Sequence, residues 1–589
     1  MKSLVRLYAY VRPYRLRATC ALALLFAMVA ADLLIPHLTQ RIIDKGIAPR
    51  NLHVIITTAL IMAGAALSSA AFAIANNYLS VSVAMGFGAD VRSAMIRRIQ
   101  TFSFGNLDRL QTGKLIIRST SDVRAVQMIV LLSLRILTRA PIWALGAAIL
   151  LVITTPRLAL IIAAFVPVIV VLVWFFAHKA RPMFVRVQHR LDRLNVVLQE
   201  NLAGMRVVKA FVRGTHEAAR FEEANQFLTD RTIRVARYMA IFNPLMLLTL
   251  NLAIIAAVWI GGQTALSGGM SVGEVVAAIN YLSFALFPIL MLTGMVGPIS
   301  AADASAGRIL EVLDARPQVP QTESAAPLPN PRGRIVFENV SFGYSDSGTE
   351  PALRDISLVV EPGETVAIVG ATGSGKSTLV HLIPRFYDVT AGRITFDGVD
   401  VRDLDLHALR GAIGITLQES VLFSGSVRDN IRYGRRTASE AEVQAAAQAA
   451  QAHEFIMQLP KGYNTPVGQR GVTLSGGQRQ RIAIARALLV KPRVLILDDA
   501  TSALDIETEI RLQDALDRLI ADERNITTRF IVAQRISTVL LADKIVVLDQ
   551  GRISAVGTHH RLLTESAVYR DIYRSQLGEP DDEKGGAHD

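Results

Sequence analysis

Nine residues carry the plainest chemistry in this chain: Gly370-Ala371-Thr372-Gly373-Ser374-Gly375-Lys376-Ser377-Thr378, directly after the apolar run Val366-Ala367-Ile368-Val369. A strand feeding such a loop, with a helix opening at its end, fits the phosphate-loop pattern in full. The glycines let backbone N–H groups wrap phosphates at a helix N-terminus. Lys376 neutralises the outer phosphates, and the Ser377 hydroxyl is a magnesium ligand. A second apolar run, Val494-Leu495-Ile496-Leu497, ends in Asp498, a carboxylate placed to complete the magnesium environment directly or through water. The residue after it is Asp499, and Gln534 follows a further apolar strand. Taken alone, these residues say nucleotide binding and no more.

The elements that must position them lie in the second half of the chain. Residues 334–577 alternate apolar strands, turns and helices, as an α/β core does. Before that core, residues 314–333 hold Pro317, Pro320, Pro327, Pro329 and Pro331, which break any helix and read as an extended linker. Residues 578–589 are polar and charged, and are expected to be a disordered tail.

The first half, residues 1–313, reads as a membrane domain. The chain of 589 residues is 51% hydrophobic and only 19% charged, and its excess of apolar residues lies here. Since about 20 apolar helical residues cross the hydrocarbon, six spans are placed at 18–35, 54–74, 137–155, 158–176, 238–262 and 272–296. The basic stretch before the first span superficially resembles a secretory leader, but the apolar run is too long and more spans follow. The loops 76–136 and 177–237 each hold eight or more Lys and Arg, including Arg92, Arg118, Arg181 and Arg206, whereas the link between spans three and four holds only Arg157 and 263–271 holds none. By the positive-inside rule, both long loops and both termini are expected in the cytoplasm, with the spans in the cell inner (cytoplasmic) membrane, and the helical patterning of these loops predicts that the spans continue past the membrane as continuous helices. The net charge of +12 thus has a topological explanation, and no nucleic-acid partner is expected. Cys20 is the sole cysteine, so no intrachain disulfide forms, and the eleven histidines are too scattered for a metal cluster. Asp32, Asn251 and Asn280 fall inside apolar spans and are cavity candidates, with interhelical hydrogen bonding the equal alternative. Pro167 and Pro288 are expected to be tolerated kinks.

The class narrows at Leu474-Ser475-Gly476-Gly477-Gln478, between the phosphate loop and Asp498. This pentapeptide resembles the signature of ATP-binding cassette proteins, and with six preceding spans the chain resembles one half of an ABC exporter. The resemblance implies six long helices in the type I exporter fold followed by an α/β P-loop domain. It implies ATP and Mg2+ as cofactors, membrane lipid as surroundings, and a hydrophobic or amphipathic substrate (a drug, lipid or peptide) moved by alternating access. Residue by residue, it makes Tyr344 the aromatic stacked on adenine, and Gly370 to Thr378 the phosphate loop. Ser377, Gln418 and Asp498 become the magnesium set, and Ala503-Leu504-Asp505 the inter-subunit loop. Ser475, Gly476, Gly477 and Gln478 would serve the site led by a partner chain. In the membrane half, 112–122 and 200–211 resemble the family's cytoplasmic-loop patterns, whose turns near 103–111 and 211–216 would be coupling helices.

Two positions depart from that pattern. The family places a glutamate at Asp499 to position and deprotonate the attacking water, and a histidine at Gln534. Aspartate is one methylene shorter, and a misplacement of about 1 Å can cost on the order of a hundredfold in rate; glutamine donates a hydrogen bond but carries no positive charge. With the signature intact, the chain resembles the degenerate-site subunit of a heterodimeric exporter, its homologous partner carrying Glu and His at these positions. The alternatives are an active homodimeric exporter and a nucleotide-gated channel or regulator; the spans exclude a soluble cassette ATPase. Gln469, where such exporters often have glutamate, is a milder departure. In a variant whose Cys20 is replaced by Ala, an impermeant thiol reagent applied outside intact cells should label Ser267→Cys and leave Thr229→Cys unlabelled; the reverse pattern overturns the orientation.

Overall fold

The computed structural model describes residues 2–321, 325–344, 350–468, 471, 473–520, 527–533, 535–540 and 542–577. Gln469, Gln534 and the tail 578–589 lie outside the described residues. The chain divides into two compact units, Met1–Gln100 with Gly113–Ala315, and Thr101–Thr112 with Arg316–Asp589.

The first unit is helical. Its long helices are α1 (Ser3–Ile47), α2 (Leu52–Ile99), α4 (Thr112–Thr154), α5 (Pro156–Ala203) and α6 (Gly214–Leu266), followed by α7 (Val272–Thr293) and α8 (Val296–Asp314). The 48 residues of α2 reach about 72 Å at 1.5 Å per residue, well over twice the hydrocarbon thickness of about 30 Å. Each of the first five predicted spans is thus the apolar stretch of a helix that runs far beyond it. The sixth, expected to continue to Val296, stops at Thr293. Pro298 lacks the N–H that would bond the Gly294 carbonyl, and its ring crowds that carbonyl, so the helix breaks at Gly294 and Met295. Pro167 and Pro288 sit inside continuous helices.

The turns between α4 and α5 and before α7 are set locally. Thr155 precedes Pro156 and is held out of the helical region, which ends α4 and starts α5 within one residue. Ser271 caps α7 in a capping box with Glu274. Asp44 accepts hydrogen bonds from Ser271 Oγ (2.6 Å) and Gly273 N (2.9 Å), tying α1 to the start of α7.

The intramembrane polar residues find different partners. The Asp32 carboxylate accepts from Ser69 Oγ (2.6 Å) and pairs with Arg139 (3.2 Å), whose guanidinium lies 4.4 Å from the centre of the Trp143 ring. Asn280 turns back onto the Val276 carbonyl of its own helix, and Asn251 is exposed.

Toward the end of this unit, Asp122 is buried and accepts from Arg308 Nε (2.8 Å), Arg308 Nη2 (2.6 Å) and Ser305 Oγ (2.9 Å), while Arg118 pairs with Glu311 at 2.8 Å. These bonds lock α4 to α8.

In the second unit a four-stranded antiparallel sheet runs in the order β2 (Leu353–Val360), β1 (Ile335–Phe342), β4 (Ala391–Phe396), β5 (Val399–Asp400). A six-stranded sheet runs β12 (Arg552–Gly557), β11 (Lys544–Asp549), β3 (Thr365–Gly370), β10 (Thr528–Val532), β9 (Val494–Asp498), β6 (Ile413–Thr416), all parallel except the edge strand β12. A two-residue pair, β7 (Gly425–Ser426) and β8 (Pro466–Val467), completes it. Strands β9 and β10 are buried at every residue, which is why they read as continuous apolar runs.

The short helix α3 (Phe104–Leu110), from within the membrane half of the sequence, belongs to this unit. Phe104 stacks on Phe386 at 4.2 Å between ring centres, Asn106 Oδ1 accepts from Gln318 N (2.9 Å), and Tyr387 donates to Asp108 (2.8 Å). Residues 101–112, which lie within the expected membrane domain 1–313 and include the expected coupling helix near 103–111, thus group with the cassette unit, where their aromatic and amide side chains find partners.

Replacing Asp122 by Ala removes the acceptor of two charged hydrogen bonds and should destabilise the first unit by about 2–3 kcal/mol. A thermal melt of the detergent-solubilised protein should show a lowered first transition; an unmoved transition would dismiss the α4–α8 lock.

Candidate functional site

Three adjacent parallel strands, β3, β10 and β9, deliver their C-terminal ends to one edge, the register pairing Val532 with both Ile368 and Asp498. That edge is where ligands gather in open α/β sheets. After Gly370 the chain makes the loop 371–375 and enters α9 (Lys376–Leu382). Gly375 has φ of +100°, and a Cβ there would lie 2.7 Å from Leu353 Cδ2 and 2.9 Å from the Ala352 carbonyl, so only glycine fits.

Within the loop, Lys376 Nζ donates to the Gly370 and Ala371 carbonyls, each at 2.9 Å. Burial lowers its pKa, against the raising charges of Asp499 and Asp498. Ser377 Oγ donates to Asp498 Oδ1 at 2.8 Å. Asp498 is 1% exposed. Ser374 Oγ and Asp498 Oδ2 are buried without a hydrogen bond to any described residue. One is a donor suited to a phosphate oxygen and the other an acceptor suited to a cation or its water. The residues therefore fit a magnesium nucleotide.

Tyr344 stands beside α9, its hydroxyl sharing a 2.8 Å hydrogen bond with Thr378 Oγ1 and its ring edge-on to Phe342 and Tyr387. Much of the ring remains exposed, as a stacking surface must be.

Asp499 occupies a left-handed backbone conformation, φ +53°, with its N–H bonded to the Val532 carbonyl (3.2 Å). Burial, and then the adjacent Asp498 charge, push its carboxyl above the ordinary range; hydrogen bonds from Gln418 and Ser502 and the charge of Lys376 pull the other way. The structure thus brings together Gly370 to Thr378, Asp498, Asp499 and Gln418, with Gln418 bonded to Asp499.

The signature residues open α10 (Gly476–Leu489). Ser475 is the N-cap and closes a capping box with Gln478 (2.9 and 3.2 Å). No hydrogen bond or ion pair joins Ser475–Gln478 to residues 370–378 among the described residues, so the two halves of the apparatus face different places on one chain. Gly477 packs so closely on the turn after β9 that a Cβ would sit 2.8 Å from the Ala503 carbonyl.

Two groups escaped the sequence reading. Gln480 is buried, accepts from Ala503 N (3.1 Å) and donates to Ser502 Oγ (3.2 Å), fastening α10 to the turn after Asp499. Glu509, 2% exposed on α11 (Ile506–Ile520), accepts from Thr501 Oγ1, Thr538 and Arg535, and Arg535 also donates to the Ser502 and Leu504 carbonyls. A polar residue on the apolar face of α10 was the available signal for Gln480. Glu509 reads as a surface position in sequence.

Residues 19–289 match the ABC transporter transmembrane region and residues 353–502 the ABC transporter domain. The chain is 39% identical over 570 residues to "Uncharacterized ABC transporter ATP-binding protein YfiB" of Bacillus subtilis, covering 97% of this chain and 98% of that protein. It belongs to the ABC transporters, as an exporter half-transporter. It is also 38% identical over 491 residues to "ATP-dependent lipid A-core flippase" of Syntrophus aciditrophicus, covering 83% of this chain and 80% of that one. A solved structure, "Structure of a bacterial Atm1-family ABC exporter with ATP bound", is similar with a TM-score of 0.81 and 28% identity, covering 97% of this chain and 99% of that one. The half-transporter is accordingly a multi-pass membrane protein whose cassette is of the ATP-hydrolysing transport type.

Because Gln480 is buried and satisfied, Gln480→Leu should leave the Ala503 N–H without its acceptor and cost the cassette about 1–3 kcal/mol, while Ser502 Oγ keeps its bond to the Asp499 carbonyl. A lowered urea midpoint for loss of cassette structure in the full-length exporter checks this; an unchanged midpoint refutes it.

Proposed function

We propose that this half-transporter carries the weakly hydrolytic ATP site of a heterodimeric exporter. The observation that carries the reading is Asp499: a buried carboxylate one methylene short of glutamate, at the end of β9, bonded to Gln418 and raised in pKa by burial and by Asp498. Its backbone is fixed by the left-handed turn and the bond to Val532, so the shorter side chain has little freedom to advance toward a water. The sequence change at Gln534 bears on the same step, since glutamine cannot carry a positive charge.

On this reading each residue has a defined task. Residues 370–378 bind the phosphates through backbone N–H groups and Lys376, and Tyr344 offers its ring to the base. Ser377 and Asp498 hold magnesium, which when bound neutralises charge on the outer phosphates. Gln418 monitors the site through Asp499. Ser475, Gly476, Gly477 and Gln478 complete the partner-led site, which explains an intact signature beside an impaired base. The partner is a homologous half-transporter with glutamate and histidine at the positions of Asp499 and Gln534.

The substrate class is hydrophobic or amphipathic, drug-like or lipid-like, exported from a cytoplasmic-membrane position with the N-terminus and cassette inside. The apolar spans and the relative named as a lipid A-core flippase support it.

Purified alone, the chain should turn ATP over slowly, and Asp499→Glu with Gln534→His should raise its rate by about a hundredfold. Co-purified with its partner, the pair should be active and depend on the partner's glutamate. Brisk turnover by the lone unmodified chain would overturn the asymmetric mechanism.

A further inference from the structure

We propose that His381 is a positioning residue for the Asp498 carboxylate, and that the docked state of residues 101–112 sets it through the ring of Phe386. The inference rests on the nucleotide-site reading above and adds residues to it.

The starting point is helical spacing. Ser377 and His381 are four residues apart on α9, hence on one face, and both reach Asp498. Ser377 holds Oδ1 with a 2.8 Å hydrogen bond. His381 brings Nε2 to 3.1 Å from Oδ2. The second contact is in ion-pair range yet not aligned as a hydrogen bond, so each of these two buried atoms lacks a hydrogen-bond partner among the described residues. An acceptor and a donor, both taken out of water and both unsatisfied, face each other across one contact. A rotation of the imidazole makes or breaks their alignment, and with it the direction in which Oδ2 points. Groups that orient a metal ligand from behind in this way tune the metal's affinity by about ten- to a hundredfold.

The imidazole's tilt is set by its neighbour. Phe386 meets the His381 ring edge-on, with centres 5.8 Å apart and planes at 62°. Phe386 is itself fixed from two sides: Arg410 lies 5.5 Å from the ring centre and donates to the Pro384 and Arg385 carbonyls, and Phe104 of α3 stacks on the Phe386 ring at 4.2 Å. Phe104 comes from the membrane half of the sequence, at residues 101–112. Each step is a direct contact within one compact unit. Residues 101–112 thereby gain a physical handle on the geometry of the magnesium carboxylate: docked, Phe104 holds Phe386 and so the imidazole; displaced, it frees both.

The test reads metal binding, not turnover. The full-length chain in lipid nanodiscs is loaded with a fluorescent ATP analogue, and Mn2+ is titrated by electron paramagnetic resonance; analogue affinity without metal is measured alongside. His381→Phe should weaken Mn2+ binding by about tenfold and leave metal-free analogue affinity unchanged. His381→Asn, which keeps an N–H donor, should recover most of the loss. Phe104→Ala should weaken Mn2+ several-fold in the wild-type background and add little to His381→Phe, because two substitutions on one path do not sum. Unchanged Mn2+ affinity in His381→Phe overturns the positioning role, and so does a parallel loss of metal-free analogue affinity, which would mark a structural residue. Fully additive effects of the two substitutions overturn the link to Phe104. A wild-type chain that binds the analogue with no metal dependence would instead refute the nucleotide-site reading itself.

Discussion

Holding the Asp498 carboxylate out of water is the constraint on which the cassette depends. An ion taken from water loses several kcal/mol of solvation unless partners replace it, and at 1% exposure Asp498 has almost no solvent to draw on. Ser377 repays part of that cost through Oδ1. The remaining oxygen faces His381 without a straight hydrogen bond. Parallel pairing of β3, β10 and β9 in register brings the helix bearing Ser377 and the strand bearing Asp498 to the same edge, so the sheet's connectivity and the charge's needs are one problem. A site left partly unsatisfied by its own protein is a site prepared for a cation.

The same economy governs the turn that follows. Ala503 contributes its backbone N–H to Gln480, and Ser502 and Leu504 contribute their carbonyls to Arg535. The signature helix and the base position are therefore anchored to one turn from opposite ends. On the proposed reading, where this turn borders the partner, a shift at the partner-led site reaches Asp499 through Gln480, with Gln418 bonded on the other side. On the same reading, shortening the base by one methylene while keeping this scaffold would preserve the mechanical connections and weaken only the chemistry.

How much was legible in the sequence follows from the range of the forces involved. The phosphate loop and the two buried strands depend on neighbours within a few residues, and they stand where local pattern puts them. The spans were legible as apolar stretches, and the helical patterning of the two long loops pointed to their continuation as helices, here of 43 to 53 residues. The break at Gly294 was hidden because Pro298 acts four residues upstream of itself. His381, Gln480 and Glu509 were missed for a different reason: each is polar, and each is fixed by a partner 23 to 117 residues away. A coupling helix near 103–111 was expected from the loop pattern, but not its partners on the cassette, since Phe104 and Phe386 are 282 positions apart.

A chain that keeps its signature and alters its base is under two separate demands. Residues 475–478 are capped and packed on Ala503, and among the described residues no hydrogen bond or ion pair joins them to their own phosphate loop; on the proposed reading their integrity serves another chain's nucleotide. Asp499 and Gln534, by contrast, concern this chain's own nucleotide. Selection for a slow own site and a competent contribution to the partner's can act independently only if the two sets of residues do not share contacts, and in the described residues they share only the turn held by Gln480. On the proposed reading that separation would let one half of a transporter retain nucleotide while the other sets the pace, and it would place the burden of coupling on Gln480 behind the turn, Gln418 beside the base and the short helix at 104–110 stacked on Phe386.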